Sequence, residues 1–355
     1  MTDEQPPGPG AWPQRGAGPR EGLRPGLVWP SRRDSTGTSG PTPAMTRGGS
    51  YRRSSFGLYV PAEVELSVEQ RIVEAYATLR AGVTTGWAAL RWLGGTWFDE
   101  DATSPVPLVL QADEGRSRQP QLVQVSQEFL HPREVWRVDG MRVTCSVRSV
   151  AYEMRRAPSP VRAAQAFAMA AYDDLVSIDE LDRYCAEHLP RWTGVSQVRD
   201  VLPWLTENAW SPTEVTMGWV WQDVRPGARL AYNVPVFSLD GRHLATPDVL
   251  DPDSGVIGEY QGALHLAGER RAQDVVRDDK LRDAGLEMAI MLSGDLRDPR
   301  HFLRRLTGAY ERAAGRPRRW TVEAPSWWVD TTTVAARRAL DGDGRARLLG
   351  HRRAA

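Results

Sequence analysis

Cysteine is scarce in this chain of 355 residues, and the two present, Cys145 and Cys185, match no metal-ligand spacing. So few cysteines exclude a disulfide framework and favour a reducing, cytoplasmic setting. No apolar run reaches the length of a membrane span, and the first residues contain no apolar signal-peptide segment. We therefore expect a soluble cytoplasmic protein that has no membrane partner.

Net charge is also absent, because 45 Lys and Arg balance 45 Asp and Glu. The chain as a whole thus gives no electrostatic argument for a nucleic-acid partner. Lys280 is the one lysine, so the chain uses arginine at almost every basic position. An arginine where a lysine is usual is therefore weak evidence about what the protein recognises. Residues 300–355 hold 13 Arg against 5 Asp or Glu, which is typical of a phosphate-facing surface or of a solvated tail.

Proline and glycine are abundant at one end only. Residues 1–50 contain 9 Pro and 10 Gly, above the roughly 25–30% that indicates disorder. We expect residues 1–50 to form a disordered tail, and either Met1 or Met45 to be the true start.

Organised sequence begins near Tyr51, and we predict three further parts. Residues 51–204 should form an α-rich module with a small β-hairpin region, which docks a partner or DNA. Its hairpin is Val135–Thr144, with Asp139-Gly140 at the turn. Residues 205–314 should form a second domain, and residues 315–355 an Arg-rich extension.

The stretch His243–Gly262 reads HLATPDVLDPDSGVIGEYQG and is the most informative one. Two β-type runs flank a turn, and each carries one carboxylate in apolar surroundings, Asp248 and Glu259. Strand side chains alternate, so Glu259 and Gln261 should share one face, while Tyr260 points to the other. A hairpin would bring the two carboxylates together, where they repel unless a cation or proton lies between them.

The surrounding elements follow a definite order. Ser211-Pro212-Thr213-Glu214 is a capping box that predicts a helix start. An apolar strand (231–237), a turn at Asp240-Gly241 and the two motif strands come next. The periodicity then predicts a helix over 269–286, a strand over 288–292 and a helix over 298–314.

This arrangement resembles the PD-(D/E)XK nuclease superfamily, and its element order resembles the Vsr-like branch. Pro247-Asp248 is followed, after ten residues, by Glu259-Tyr260-Gln261, with Gln where Lys is usual. The resemblance spans about residues 205–312. It implies an α/β (α+β) fold with a restriction-endonuclease-like mixed sheet flanked by helices.

The resemblance also implies a metal site. Asp248 and Glu259 would bind Mg²⁺ or Mn²⁺, hard cations that prefer carboxylate oxygens. The cation would polarise the scissile phosphate and lower the pKa of an attacking water. Glu214 resembles the helix carboxylate that completes such a metal shell. Its alternative role is to cap the helix by accepting from the backbone amide of Ser211.

Further candidate residues have two interpretations each. Gln261 can hydrogen-bond a water or a phosphate oxygen but supplies no charge. Lys280 can replace the missing motif lysine from the following helix, or it belongs to a solvated charged face. His265 and His243 are candidates for a general base or for polar surface. Trp327-Trp328 can stack on bases, but tryptophans are more often packed in a core.

Gly57–Phe98 resembles the opening region of actinobacterial AbiEi-type antitoxin-like proteins. In those proteins a winged helix precedes the second domain. Here the usual helix-turn-helix would fall in the Pro/Gly-rich tail, so a complete winged helix is not expected.

Three functions remain open at this stage. The first is a metal-dependent DNA endonuclease. The second is a catalytically inactive nuclease fold that binds DNA or a protein partner, as an antitoxin or autorepressor does. The third is a scaffold that uses the fold only structurally, because fold alone does not fix function.

Overall fold

The computed structural model describes residues 22–79, 82–99, 104–109, 119–262 and 279–350. These residues form two compact units. The first covers the described residues from 22 to 93 and from 99 to 145, and the second those from 94 to 98 and from 146 to 350. The boundary near residue 145 differs from the boundary near residue 204 that the sequence predicts. Gln165 lies before the predicted boundary, and its side chain donates across it to the carbonyl of Pro212 (2.9 Å) and to the Thr216 hydroxyl (2.8 Å).

The first unit combines short helices with two sheets. Its elements are α1 (Pro43–Arg47), β1 (Tyr51–Ser55), β2 (Leu58–Pro61), α2 (Val68–Tyr76), β3 (Val83–Thr84), α3 (Gly86–Trp92), β4 (Val106–Val109), β5 (Val123–Ser126), β6 (Val135–Val138) and β7 (Met141–Thr144).

Strands β1 and β2 pair with each other, and the others form a five-stranded sheet in the order β5-β4-β3-β7-β6. The predicted hairpin over 135–144 is confirmed. Asp139 (φ +46°) and Gly140 (φ +79°) adopt the left-handed conformations of a tight hairpin turn. The β-type runs at Leu108–Gln111 and Leu122–Val125 overlap β4 and β5, which join this hairpin through β3 in one sheet.

Residues 22–50, which the sequence assigns to a disordered tail, pack onto the first unit. Gln70 has a buried side chain that accepts from the amide of Val28 and donates to its carbonyl, both at 2.9 Å. Arg24 pairs with Asp139 at 2.7 Å. These tertiary contacts compensate for a composition that cannot form a core alone. Residues 1–21 lie outside the described part of the chain.

The second unit contains a helical region, two sheets and the C-terminal helices. Its elements are α4 (Ser146–Arg156), α5 (Pro160–Tyr172), α6 (Ile178–His188), α7 (Val195–Val201), α8 (Pro212–Trp221), β8 (Ala231–Tyr232), β9 (Val236–Ser238), β10 (His243–Ala245), β11 (Val249–Asp251), β12 (Val256–Gln261), β13 (Glu287–Leu292), α9 (Arg300–Ala313), β14 (Trp320–Thr321), α10 (Val334–Arg338) and α11 (Gly342–Leu349).

A four-stranded mixed sheet lies at the centre of this part, in the order β13-β12-β11-β8. Strand β11 is antiparallel to both β8 and β12, and β13 runs parallel to β12. The predicted strand over 288–292 and helix over 298–314 are confirmed as β13 and α9. Of the helix predicted over 269–286, residues 279–283 are helical, and residues 263–278 lie outside the described ranges.

The two faces of this sheet are covered differently. Helices α8 and α9 cover the first face, where Trp221 of α8 contacts Phe302 and Tyr310 of α9 through edge-to-face ring contacts. The second face carries Leu250 and Ile257, which belong to a core cluster with residues of a three-stranded sheet, β10-β9-β14, and of the chain around 279–286. Both faces are therefore buried by different elements.

Two strands that the sequence treats as continuous are interrupted. The run over 231–237 separates into β8 and β9 because Asn233 adopts a left-handed conformation (φ +49°) and Pro235 follows it. The run over 243–250 separates into β10 and β11 at Pro247, which has no amide to donate to a neighbouring strand. In each case the two halves belong to different sheets, which a hydrophobic pattern cannot show.

The arginines of the C-terminal helices are largely used inside the protein. Arg337 is fully buried, and its Nε lies 2.6 Å from Oδ1 of the buried Asp174. Arg345 pairs with the other oxygen of that carboxylate, and Arg338 pairs with Glu180, each at 2.5 Å. The excess of arginine in this region therefore stabilises the packing of α10 and α11 against the helical region, and its described part is not a solvated tail.

None of the helices within the described ranges combines the length and the apolar character needed to cross a membrane.

Candidate functional site

Asp248 and Glu259 lie on neighbouring strands at one end of the mixed sheet. The β11–β12 ladder ends at the pair of Val249 with Gly258, and Asp248 and Glu259 are the next residues of the two chain segments beyond that pair. Oδ2 of Asp248 accepts a hydrogen bond of 2.7 Å from the backbone N–H of Tyr260. The sequence predicted this approach of the two motif strands, and both carboxyl side chains are half-buried here.

The surroundings of Gly258 show which face of β12 lies against α8. A Cβ at this position would lie 2.6 Å from Sδ of Met217 and 2.7 Å from the ring of Trp221, so Gly258 faces α8 at close approach. Since side chains alternate along a strand, Tyr260 shares that face, and Glu259 with Gln261 lies on the opposite one, with Ile257. The alternation that the sequence predicts therefore places Glu259 away from α8.

Glu214 lies in the first turn of α8 and is buried. Its Oε2 accepts from the backbone N–H of Trp210 at 2.7 Å, and its Oε1 accepts from the hydroxyl of Ser211 at 3.0 Å. Ser211 in turn caps the helix by accepting from the amide of Glu214. The predicted helix start is thus confirmed, but the carboxylate accepts from the amide of Trp210 rather than from that of Ser211.

Burial and a neighbouring charge make Glu214 a weaker acid than an exposed glutamate. Loss of hydration raises its pKa to about 7, and the negative charge of Asp248 contributes in the same direction. Hydrogen bonds from Trp210, Asn233 and Ser211 oppose this rise by stabilising the carboxylate. A carboxyl group whose pKa is raised by burial and by a neighbouring charge is often found at functional sites.

Two asparagines complete the site, and the sequence analysis missed both. Asn233 donates its Nδ2 to Oε2 of Glu214 (2.6 Å) and to the carbonyl of Asn208 (2.8 Å). Asn208 donates its Nδ2 to the carbonyls of Tyr232 (2.7 Å) and Asn233 (3.0 Å). The one sequence signal was the Asn-Val-Pro turn at Asn233, since asparagine tolerates a left-handed backbone better than most residues.

The other predicted residues are not gathered around this site by any described contact. Gln261 is exposed at the end of β12, and Lys280 is exposed in the helical segment 279–283. His265 lies outside the described residues. His243 stacks on Trp328 with ring centroids 5.4 Å apart, and Nε2 of His243 lies 3.0 Å from the hydroxyl oxygen of Thr246.

The three predicted metal ligands divide between two places. Glu214 at the start of α8 is near enough to Asp248 for the charge of Asp248 to raise its pKa, while Glu259 lies on the face of the sheet away from that helix. Within the described ranges, no three His, Cys, Asp or Glu side chains are arranged to share a metal ion. A site that uses all three carboxylates therefore remains a prediction. The oxygen donors of Asp248 and Glu259 match a hard cation in type.

No family model, curated protein or solved structure matches this chain. Any functional argument therefore depends on the geometry of the site itself.

Proposed function

We propose that the protein is a metal-dependent DNA endonuclease related to the Vsr-like branch of the PD-(D/E)XK superfamily. The observation that carries the proposal is that Asp248 and Glu259 both lie at the same end of the β11–β12 ladder, next to the pair of Val249 with Gly258. Two carboxylates that share one end of a sheet repel each other, and a cation between them removes that cost. The resemblance seen in the sequence provides the same two residues.

The arrangement of the sheet supports the proposal. A helix precedes three antiparallel strands, and a fourth strand runs parallel to the third before the next helix. The resemblance implies this order with one more helix before the fourth strand, and residues 279–283 are the described part of the predicted helix at that place. The interruptions that form β9 and β10 add a second sheet beside this core without changing the order within it.

In this proposal Asp248 and Glu259 would hold Mg²⁺ or Mn²⁺. Such an ion supplies Lewis acidity towards a phosphodiester. Both oxygens of Glu214 already accept hydrogen bonds, three in all, so Glu214 fits better as a neighbour of the cation than as its ligand.

The remaining candidates would contact the substrate. Exposed Gln261 can donate an amide hydrogen to a phosphate oxygen, and Lys280 can supply the positive charge that glutamine lacks. His265 would act as a general base if the preceding strand brings it to the site. These roles depend on the resemblance, because no described contact assigns them.

A second candidate function is a catalytically inactive nuclease fold that binds DNA as an antitoxin-like regulator. The use of Glu214 in capping the helix, and glutamine in place of the motif lysine, favour this candidate. The resemblance of Gly57–Phe98 to AbiEi-type proteins points in the same direction and would make a protein partner part of the function.

Calorimetric titration of Mg²⁺ and Mn²⁺ into the full-length protein tests the proposal. Asp248→Ala removes one predicted ligand. Asp253→Ala is the matched control, because Asp253 is exposed in the turn between β11 and β12. We expect binding by the wild type and by the control variant, and none by Asp248→Ala.

Cleavage of plasmid and of single-stranded DNA by the wild type, lost in Asp248→Ala, would then establish the nuclease. Absence of cation binding by the wild type, with and without DNA, would overturn the enzyme proposal. A gel-shift assay that detects DNA binding under those conditions would favour the inactive regulator.

A further inference from the structure

The chain between residues 22 and 61 is strongly basic, with six arginines against one acid, Asp34. Two of the six arginines form ion pairs with acids of the first unit, and Asp34 accepts from the amides of its own loop over residues 36–39. The other four are exposed, and none of them pairs with a carboxylate of any residue that the structure describes: Arg32, Arg33, Arg47 and Arg53. This part of the first unit therefore carries an uncompensated positive charge.

Three of these arginines surround one β-hairpin. On one side of β2, Tyr59 pairs with Arg53 of β1, and on the other side it forms a bridge with Ser31. The backbone of Ser31 donates to and accepts from that of Tyr59, each at 2.9 Å. The segment over residues 31–33 therefore lies along the edge of the hairpin, and Nη1 of Arg32 reaches the hairpin turn, 3.7 Å from where a Cβ on Gly57 would lie.

Two of the guanidinium groups lie against aromatic rings. That of Arg33 is 4.9 Å from the centre of the Tyr59 ring, and that of Arg53 is 5.5 Å from the centre of the Phe56 ring. Phe56 is 71% exposed in the hairpin turn, and Nε of Arg53 also donates to the carbonyl of Ser55 at 3.1 Å. A guanidinium that stacks on a ring keeps the N–H groups of its edge available to an acceptor.

Exposed arginines held in this way match the phosphate groups of a nucleic acid. The planar guanidinium can donate to two phosphate oxygens at once. Single strands are bound mainly through aromatic rings on which bases stack, and here a guanidinium takes up one face of each ring. The surface therefore fits the dense, regularly spaced phosphates of a duplex better than the bases of a single strand.

We infer that the first unit binds the phosphate backbone of duplex DNA, without reading its sequence, through this basic hairpin surface. Its residues are Arg32, Arg33, Arg53, Phe56 and Tyr59. The inference goes beyond the proposed function, because it concerns the first unit and needs no cation. It also gives residues 31–33, which the composition assigns to a tail, a role in binding.

The test measures binding of a short fluorescent DNA duplex to the full-length protein in EDTA over a series of salt concentrations. One variant carries Arg33→Ala and Arg53→Ala. The matched control carries Arg133→Ala and Arg137→Ala, which remove the same charge from two exposed positions elsewhere in the first unit. We expect the first variant to bind about tenfold or more weakly and the control to bind like the wild type. The slope of log K against log salt concentration should become shallower by about 2 in the first variant, since each lost phosphate contact removes about 0.9.

A lysine variant separates charge from geometry. Arg33→Lys with Arg53→Lys keeps both charges but loses the planar donor fork. We expect the wild-type slope and an affinity between those of the wild type and the alanine variant. All the replaced side chains are exposed, so each variant should keep a Tm close to that of the wild type, which shows that weaker binding is not a loss of folding.

Several results would overturn the inference: no binding of the duplex in EDTA, wild-type affinity and slope in the alanine variant, or an equal loss in the control. Tighter binding of a single strand of the same length, or binding of phosphatidylserine vesicles but not of DNA, would overturn it as well.

These outcomes are distinct from failure of the proposed function, which depends on Asp248. If the wild type binds no cation but binds the duplex through Arg33 and Arg53, the proposed function alone fails. If Asp248→Ala loses cation binding while the alanine variant of the hairpin binds the duplex like the wild type, the inference alone fails.

Discussion

Asn233 and Glu214 are joined by a hydrogen bond of 2.6 Å from Nδ2 to Oε2, which ties a residue of the sheet to the first turn of α8. The carboxylate is buried, and Asp248 adds a second negative charge nearby. Ionisation of Glu214 is therefore costly in the folded protein, although three donors reduce that cost.

The first prediction concerns the pH dependence of stability. Glu214 has a pKa of about 7 when folded, against a usual value of 4.5. The folded protein thus binds this proton more tightly than the unfolded chain does. The resulting stabilisation of the folded state is complete below pH 4.5 and is lost as the pH rises through 7. The glutamine of Glu214→Gln stays neutral at every pH. The free energy of unfolding of the variant minus that of the wild type should therefore increase by roughly 3 kcal/mol between about pH 4.5 and pH 8.

Urea unfolding of both proteins across this pH range measures the difference, in which the titrations of groups that do not interact with Glu214 cancel. A difference that does not vary with pH would show that the pKa of Glu214 is close to its usual value.

The second prediction concerns the close approach of β12 to α8. A Cβ on Gly258 would lie 2.7 Å from the ring of Trp221, a side chain that has no room to move. Gly258→Ala should therefore lower the free energy of unfolding by about 1–3 kcal/mol. Gly294→Ala is the control, because nothing lies within 4 Å of the added carbon there. Thermal unfolding of the two variants tests this prediction, and equal Tm values would contradict the predicted clash.

The third prediction concerns the buried ion pair of the C-terminal helices. Arg337 and Asp174 have exposed side-chain fractions of 0% and 2%, so Arg337→Ala removes a charged partner from a buried carboxylate that also pairs with Arg345. We expect a loss of about 3–5 kcal/mol in the free energy of unfolding. Arg338→Ala, which removes the more exposed pair with Glu180, should cost about 1 kcal/mol. Chemical denaturation of both variants measures this, and losses of similar size would show that burial of the pair does not matter.

The fourth prediction concerns a hydrogen-bond chain under the mixed sheet. Trp221 donates its Nε1 to the hydroxyl of Tyr310, which donates to Oδ2 of Asp251, both at 2.7 Å. Tyr310→Phe leaves a buried donor and a buried acceptor without this partner, and should cost about 1–3 kcal/mol. Tyr51→Phe, at the start of β1 and outside the chain of bonds, serves as the control in the same unfolding experiment. Equal stability of Tyr310→Phe and wild type would mean that water replaces the hydroxyl.

Local signals in the sequence predicted much of the second unit. The Ser-Pro-Thr-Glu box located the start of α8, and the alternating residues located β12 and β13. The Asp139-Gly140 turn located the hairpin of the first unit. Each of these signals acts within a few residues, through a cap, a turn or a repeat of side-chain direction, so it can be read without knowledge of the rest of the chain.

The sequence did not show which strands belong to the same sheet. Asn233, Pro235 and Pro247 mark the breaks in the runs over residues 231–250, but no local feature shows that β9 and β10 pair in a different sheet from β8 and β11. The packing of residues 22–50 was equally hidden. It depends on the side chain of Gln70, which satisfies both backbone groups of Val28 from 42 positions away.

The candidate site shows the same division. The sequence by itself determined that Asp248 and Glu259 flank a turn on two strands, because strand periodicity and turn residues are local properties. The tertiary structure alone decided that Glu214 is buried beside Asp248, that Glu259 lies on the other face, and that Asn233 joins the helix to the sheet. These relationships depend on how α8 packs against the strands, where one glycine and one left-handed asparagine set the distances.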